Sequence, residues 1–195
     1  MIYKHYQNSQ LEELEKSTTD RRYNLSELSA LIINNVKKCI WCLKELPKSR
    51  KKYCSDECGE NAFTWANPQS VHGMGTLLIK QNFKCNICGY DYRPFIEQSL
   101  KRRIHDITDW ISKNQMLTPL TDNLNKLREM EQNLSSHFDW SVYTSMKTRV
   151  PSQFNPEVDH IIPIYKGGPS IGLSNHQVIC YTCHKKKTKE DMKRE

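Results

Sequence analysis

The chain has 195 residues, 37% of them hydrophobic, and its Lys and Arg outnumber Asp and Glu by 29 to 22 for a net charge of +7. That length and apolar share admit one ordinary domain or two small ones with a modest core, and the longest apolar stretch, Leu28 to Val36, is interrupted by Ser and Asn and falls well short of a bilayer span. The N-terminus MIYKHYQNSQ has no apolar signal region, so the expectation is a soluble chain of the cytoplasm, or of the nucleus in a eukaryote, with a polyanion rather than a membrane as partner.

Residues 1–36 are polar, with Leu11, Leu14, Leu25, Leu28 and Leu31 at roughly helical intervals, and predict an N-terminal helical segment of one or two short helices. Residues 37–68 hold CIWCLKELPKSRKKYCSDEC, two cysteine pairs around a basic loop. Thiols in a reducing compartment serve as metal ligands rather than disulfides, so Cys39, Cys42, Cys54 and Cys58 predict a four-cysteine zinc-finger unit, the first pair on a tight knuckle and the second opening a helix through Glu60, Phe63 and Trp65. In that unit Arg50, Lys51 and Lys52 are candidates for phosphate contact.

Residues 69–195 contain the other four cysteines, Cys85, Cys88, Cys180 and Cys183, which complete a second tetrahedral zinc set with none left over. Between them, at about 93–150, lies a polar helical insertion: Ile104, Ile107 and Ile111 repeat at helical spacing, as do Leu120, Leu124, Leu127, Met130 and Leu134, with Pro119 near a helix start. These stripes predict the buried faces of a helical hairpin.

The pattern then changes. Glu157 to Lys189 reads EVDHIIPIYKGGPSIGLSNHQVICYTCHKKKTK, in which Val158, Ile161, Ile162 and Ile164 suit a strand, Gly167 and Gly168 a turn, and the residues from Tyr181 onward a basic helix. Phosphodiester hydrolysis needs a water, a group to take its proton, and positive charge for the transition state. His160 is a fitting general base, since an imidazole titrates near neutrality. Asp159 and His184 offer one carboxylate oxygen and one ring nitrogen to a divalent ion while leaving it open positions. His176, beside Asn175, is a rival ligand. Lys185, Lys186, Lys187 and Lys189 follow the metal-ligand positions and suit phosphate contact.

VDHIIPIYKGG followed by LSNHQVICYTCHKKKT resembles the HNH nuclease family in the variant framed by two C-x-x-C pairs, and YCSDEC, CNIC and HFDW extend the resemblance to both helicase-linked and free-standing members. The resemblance implies an α+β fold with a ββα-metal HNH core and its own structural zinc on Cys85, Cys88, Cys180 and Cys183. It also implies a metal-dependent DNA endonuclease, with His160 as general base, Asp159 and His184 on Mg2+ or Mn2+, and Asn175 bracing the hairpin. Double-stranded DNA is the expected substrate, with a homodimer as one route to cutting both strands. The competing expectations are a noncatalytic zinc module that binds nucleic acid and a zinc scaffold for protein contacts; neither gives a reason for Asp159, His160, Asn175 and His184 to occur together.

Overall fold

The structure, a computed structural model, describes residues 6–18, 25, 28–114, 119–137 and 139–193. Phe138 of the HFDW motif therefore lies outside the described residues. The chain is of mixed α+β type and forms two compact units, one from Tyr3–Gly73 and His160–Gln177, the other from Met74–Asp159 and Val178–Glu195. No described helix is long and apolar enough to cross a membrane.

The first unit begins with α1 (Ser9–Ser17), whose N-cap Asn8 accepts a hydrogen bond from the Gln10 N–H. The Asn8 side-chain amide also donates to the Ile40 carbonyl, tying the helix start to the first cysteine knuckle. Leu11 and Glu15, four apart and so on one helix face, are both buried. The predicted second helix near Leu31 is instead a hairpin of β1 (Leu31–Ile33) and β2 (Val36–Lys38), antiparallel with Leu31 opposite Lys38. Its two-residue turn, Asn34-Asn35, has both residues at positive φ, 51° and 61°, the conformation that matches strand twist in a tight hairpin and that Asn tolerates. α2 (Asp56–Ala66) opens at the second cysteine pair, as its spacing predicts, with Ser55 accepting from the Cys58 N–H as N-cap. The core gathers Leu11, Ile40, Trp41, Leu46, Ala62, Trp65 and Ile171. Tyr6, Trp41 and Trp65 meet edge to face with centroids 5.6 to 6.3 Å apart, each such pair contributing roughly 0.5–1.5 kcal/mol beyond its buried area.

In the second unit most of α3 (Val71–Lys80) leads through Asn82 and Phe83, both at positive φ, into the second knuckle. The insertion forms α4 (Arg93–Asn114), α5 (Pro119–Gln132) and α6 (Trp140–Lys147), with α5 and α6 both packed on α4. Ile107 of the first predicted stripe and Leu124, Leu127 and Met130 of the second are buried. The third helix, α6, goes beyond the expected hairpin; Asp139 of HFDW caps it by accepting from the Ser141 and Val142 N–H groups. β3 (Pro156–His160) and β4 (His176–Cys180) pair as a two-stranded sheet, and α7 (Tyr181–Asp191) follows β4 directly. Gln81 acts as a substitute neighbour for β4: its amide accepts from the Val178 N–H at 2.7 Å and donates to the Val178 carbonyl at 2.9 Å. β3 ends at His160, earlier than the apolar run predicts. Ile161 and Ile162 beyond it are half exposed, and the Asn175 side chain rather than a strand satisfies the Ile162 backbone.

Candidate metal centres and nuclease site

The eight cysteines sort into two groups by position in the fold. In the first unit Cys39 and Cys42 sit on a knuckle and Cys54 and Cys58 at the entrance of α2; in the second, Cys85 and Cys88 sit on a knuckle and Cys180 and Cys183 at the entrance of α7. Both knuckles share one hydrogen-bond plan. Cys39 N–H donates to the Lys44 carbonyl and Leu43 N–H to the Cys39 carbonyl, just as Cys85 N–H donates to Tyr90 and Gly89 N–H to Cys85. The fifth residue of each, Leu43 and Gly89, takes positive φ, 60° and 74°.

Within each group the four sulfurs lie within 4.8 Å of one another. Cys42 and Cys54 are 3.4 Å apart, Cys54 and Cys58 3.6 Å, and Cys88 and Cys180 3.7 Å. Four thiolates on one zinc ion at 2.3 Å stand about 3.8 Å apart, so both groups fit such an ion. Burial opposes ionisation of Cys39 and Cys85, but backbone N–H groups outweigh it. Those of Cys42, Cys54 and Trp41 around Cys39, and of Cys88, Cys180 and Ile87 around Cys85, bring both thiols below their usual range, Cys85 to about 7. Cys42, Cys58, Cys180 and Cys183 are pushed up, by burial first and by neighbouring thiols next. A set in which one thiolate is favoured and its neighbours resist ionisation is completed by a divalent cation, which removes the repulsion.

α7 is seated by its first turn. The Tyr181 N–H donates to the Asn155 carbonyl and the Thr182 hydroxyl to the Gln153 carbonyl, both in the turn that precedes β3. Phe154 of that turn stacks on Tyr90 of the knuckle, rings nearly parallel with centroids 4.0 Å apart. This fixes His184, one residue after Cys183, against β3. Glu157 and Asp159, two apart and so on one face of the strand, both approach it: Glu157 Oε2 lies 2.5 Å from His184 Nδ1 and Asp159 Oδ1 3.7 Å from Nε2. A divalent ion at about 2.0–2.2 Å from each donor bridges a 3.7 Å gap, and a carboxylate on the other ring nitrogen is the usual means of orienting a metal-binding imidazole. Glu157 is absent from the sequence reading, although its place two residues before Asp159 on a strand is the signal that finds it.

Lys187 is one turn past His184 on the same face of α7. Its Nζ lies 3.1 Å from Asp159 Oδ2 and 2.6 Å from Asp191 Oδ2, and the side chain is 16% exposed. Burial disfavours its charge, and the Asp191 and Asp159 carboxylates outweigh that and raise its pKa. Lys185, Lys186 and Lys189 are exposed, with Lys185 Nζ 5.2 Å from the centre of the Tyr181 ring. Of the four helix lysines expected at phosphates, Lys187 is thus the one engaged with carboxylates.

In the first unit, buried Asn175 binds the segment after His160. Its Oδ1 accepts from the Ile162 N–H at 2.8 Å, and its Nδ2 donates to the Ile162 and Pro169 carbonyls, each at 2.9 Å. Gly168 makes room for this: a Cβ there would lie 2.0 Å from the Ile162 carbonyl oxygen and 2.6 Å from Asn175 Nδ2. The His160 ring rests against that of His176, centroids 4.4 Å apart. His176 is 3% exposed, and burial first, then the neighbouring His160, lowers its pKa to about 3. It is therefore neutral across the physiological range. Glu15, also missed in the sequence, anchors the far end of this segment. It accepts hydrogen bonds from Trp65 Nε1 at 2.8 Å, from the Tyr6 hydroxyl at 3.2 Å, and from the Ser174 hydroxyl.

Arg50, Lys51 and Lys52 line a cleft of about 750 Å³ in the first unit. Arg50 is ion-paired with Asp56 at 2.5 Å, and Lys52 donates to the Leu25 carbonyl.

The HNH endonuclease family model matches residues 152–190, the stretch that runs through β3, the Asn175 segment and β4 and into α7. Over 144 residues, 73% of the chain, the sequence is 26% identical to the mouse protein named DNA annealing helicase and endonuclease ZRANB3, and the human protein of that name is similar to the same extent. The aligned part is 11% of the length of each. No solved structure matches. Residues 152–190, which hold Asp159, His160, Asn175 and His184, are thus the stretch similar to the HNH endonuclease family, in a chain with distant similarity to a protein named as an annealing helicase and endonuclease.

Proposed function

We propose that the protein is a metal-dependent DNA endonuclease in which His160 is the general base and Asp159 and His184 hold a Mg2+ or Mn2+ ion. The observation that carries this reading is the pairing of Asp159 with His184 Nε2 at 3.7 Å inside the matched segment, next in sequence to His160. Such an ion, when bound, supplies the positive charge that phosphodiester cleavage requires. The His160 imidazole takes the proton of the attacking water as the new oxygen–phosphorus bond forms and the bond to the departing strand breaks. Glu157 holds the His184 ring so that Nε2 faces Asp159. Asn175 keeps the segment after His160 in shape through three hydrogen bonds. Zinc on the two cysteine sets gives the surrounding fold its rigidity, and Lys185, Lys186 and Lys189 meet DNA phosphates. The substrate is double-stranded DNA. One chain with one His160 cuts one strand, and cutting both takes a homodimer or a second encounter.

One observation favours a noncatalytic zinc module that binds nucleic acid: the Lys187 ammonium sits at Asp159, where the divalent ion would bind. The two readings separate in one experiment. Zinc-loaded protein is incubated with supercoiled plasmid over a range of Mg2+ and Mn2+. The nuclease reading expects nicking, abolished in His160→Ala with both zinc ions retained, and reached at lower Mn2+ in Lys187→Ala. Absence of nicking with either ion, in the wild type and in Lys187→Ala, refutes it.

A further inference from the structure

Five ionisable side chains of the second unit are linked in series from β3 to the end of α7. Glu157 stands at His184 Nδ1, Asp159 Oδ1 at His184 Nε2, Lys187 Nζ at Asp159 Oδ2, and Asp191 Oδ2 at Lys187 Nζ. Glu157, His184 and Asp159 account for the donors of the candidate metal pair and for their orientation. Lys187 and Asp191 do not belong to that pair, yet their side chains are only 16% and 24% exposed, and Lys and Asp are held that far from water only when paired.

Helix geometry explains the meeting. Lys187 follows His184 by three residues and precedes Asp191 by four, so the three lie along one face of α7, and His184 and Lys187 both reach Asp159 of β3 from it. Lys187 divides its attachment unequally. Its hydrogen bond goes to Asp191 at 2.6 Å, and the Asp159 oxygen is farther, at 3.1 Å. Asp159 is 17% exposed, and a carboxylate so far out of water needs a cation beside it. Lys187 is that cation, placed on the oxygen other than the one at His184. With a divalent ion on Asp159 and His184, the carboxylate no longer needs the ammonium, and the two cations repel each other. The ammonium, on a flexible four-carbon stem, can give way. A retreat with no carboxylate to receive it would strand a sheltered charge at high cost. Asp191, already hydrogen-bonded to Lys187, removes that cost.

We infer that Lys187 and Asp191 are positioning residues that set how tightly the site takes its divalent ion: Lys187 is a resident counter-cation on Asp159 that the ion must displace, and Asp191 is the carboxylate that receives the displaced ammonium. The inference rests on Asp159 and His184 being the ligands of the ion and adds what determines their affinity. The two residues then have opposite effects. Loss of Lys187 tightens ion binding, and loss of Asp191 weakens it, because the ammonium is left with Asp159 alone. Asp191 acts through Lys187, so its removal matters little once Lys187 is gone.

The test uses full-length protein with zinc on both cysteine sets and no DNA, and follows Mn2+ binding by the loss of the free-ion electron paramagnetic resonance signal. Lys187→Met, which keeps a long unbranched stem, is expected to tighten Mn2+ binding at least about tenfold, and Asp191→Asn to weaken it about three- to tenfold. Asp191→Glu, which restores the carboxylate, is expected to bring the affinity back to within about twofold of wild type. In the Lys187→Met background, Asp191→Asn is expected to change the affinity less than about twofold, since the interaction it acts through is already absent. Zinc content and circular dichroism check the fold of each variant. Wild-type affinity in Lys187→Met, an Asp191→Asn effect that persists in full without Lys187, or no Mn2+ binding in either the wild type or Lys187→Met overturns the assignment. Nicking of plasmid is scored separately. Mn2+ binding that is lost in His184→Ala but indifferent to Lys187 and Asp191, in a protein that nicks, overturns this inference and leaves the nuclease reading in place. The expected shifts in a protein that does not nick support the inference and refute the nuclease reading.

Discussion

Replacing Glu15 is the most direct probe of how the N-terminal helix supports the segment after His160. Glu15 is 4% exposed and accepts from Trp65 Nε1, the Tyr6 hydroxyl and the Ser174 hydroxyl. Tyr6 is a committed donor, since burial and then the Glu15 carboxyl hold its phenol protonated far above the usual range. Gly172, at φ 78°, leaves the space the carboxyl occupies, because a Cβ there would fall 2.0 Å from the Glu15 carboxyl carbon. In Glu15→Ala the Trp65 and Tyr6 donors lose a buried acceptor, at about 1–3 kcal/mol each, and the Ser174 bond adds about 1 kcal/mol, for a total of about 3–7 kcal/mol. That is a large part of the stability of a small domain. Glu15→Gln keeps one oxygen for Trp65 and Tyr6 and turns its NH2 group toward Ser174, whose hydroxyl can accept instead; the expected loss is about 1 kcal/mol. The assay is urea unfolding at fixed free zinc, followed by tryptophan fluorescence, with equal slopes as the check that the unfolding transition is the same. An Ala variant within about 0.5 kcal/mol of wild type, below the effect of losing even one such bond, or Ala and Gln variants of equal stability, refutes the reasoning.

The wild type should hold two zinc ions per chain by elemental analysis and Cys183→Ser one, with loss of the helical signal from the second unit, because structural zinc contributes on the order of 10 kcal/mol to such folds. Gly168→Ala is expected to destabilise on the order of 1–3 kcal/mol through collision with Ile162 and Asn175, whereas Gly89→Ala, with open space around its Cβ, costs only its backbone conformation, about 1–2 kcal/mol. The two therefore separate in nicking, which Gly89→Ala preserves. For His176 the folded pKa, about 3, lies below the unfolded value near 6.5. Its contribution is thus complete above about pH 6.5 and declines as pH falls toward 3, at up to about 1.4 kcal/mol per unit. A His176→Phe variant titrated between pH 7 and 4 should show a shallower decline in unfolding free energy than wild type; identical slopes count against a buried neutral imidazole.

The two cysteine groups were legible because each pair is local in sequence. The first pair of each set sits on a knuckle and the second at a helix entrance, which follows closely in one set, at Cys54, and 92 residues after Cys88 in the other, at Cys180. Asp159, Asn175 and His184 stand out because their residue types and spacing resemble a nuclease motif, and all three fall in the matched stretch. What was illegible depends on which way a side chain faces after folding. Lys187 reads as one more member of a basic run, yet three residues from His184 it shares that face and meets Asp159 and Asp191. Glu157 has no motif of its own. Leu25, Leu28 and Leu31 keep helical spacing up to the hairpin, and only the left-handed Asn34-Asn35 turn converts the last of them to a strand. Ile161 and Ile162 read as strand interior, but the side chain of Asn175 takes the place of a pairing strand and leaves both half exposed.

The second cysteine set also says something about how such a chain tolerates change. Its cysteines bracket the stretch from Cys88 to Cys180, and α5 and α6 within that stretch both pack on α4. Closing a loop grows dearer only with the logarithm of its length, about 0.6 kcal/mol for each doubling, so the segment between the knuckle and β3 can lengthen, shrink or be exchanged at little thermodynamic penalty where a metal ion on the four cysteines keeps its ends in register. In evolutionary and engineering terms this is a docking port: a place where a different helical module can be spliced in beside an unchanged four-cysteine frame.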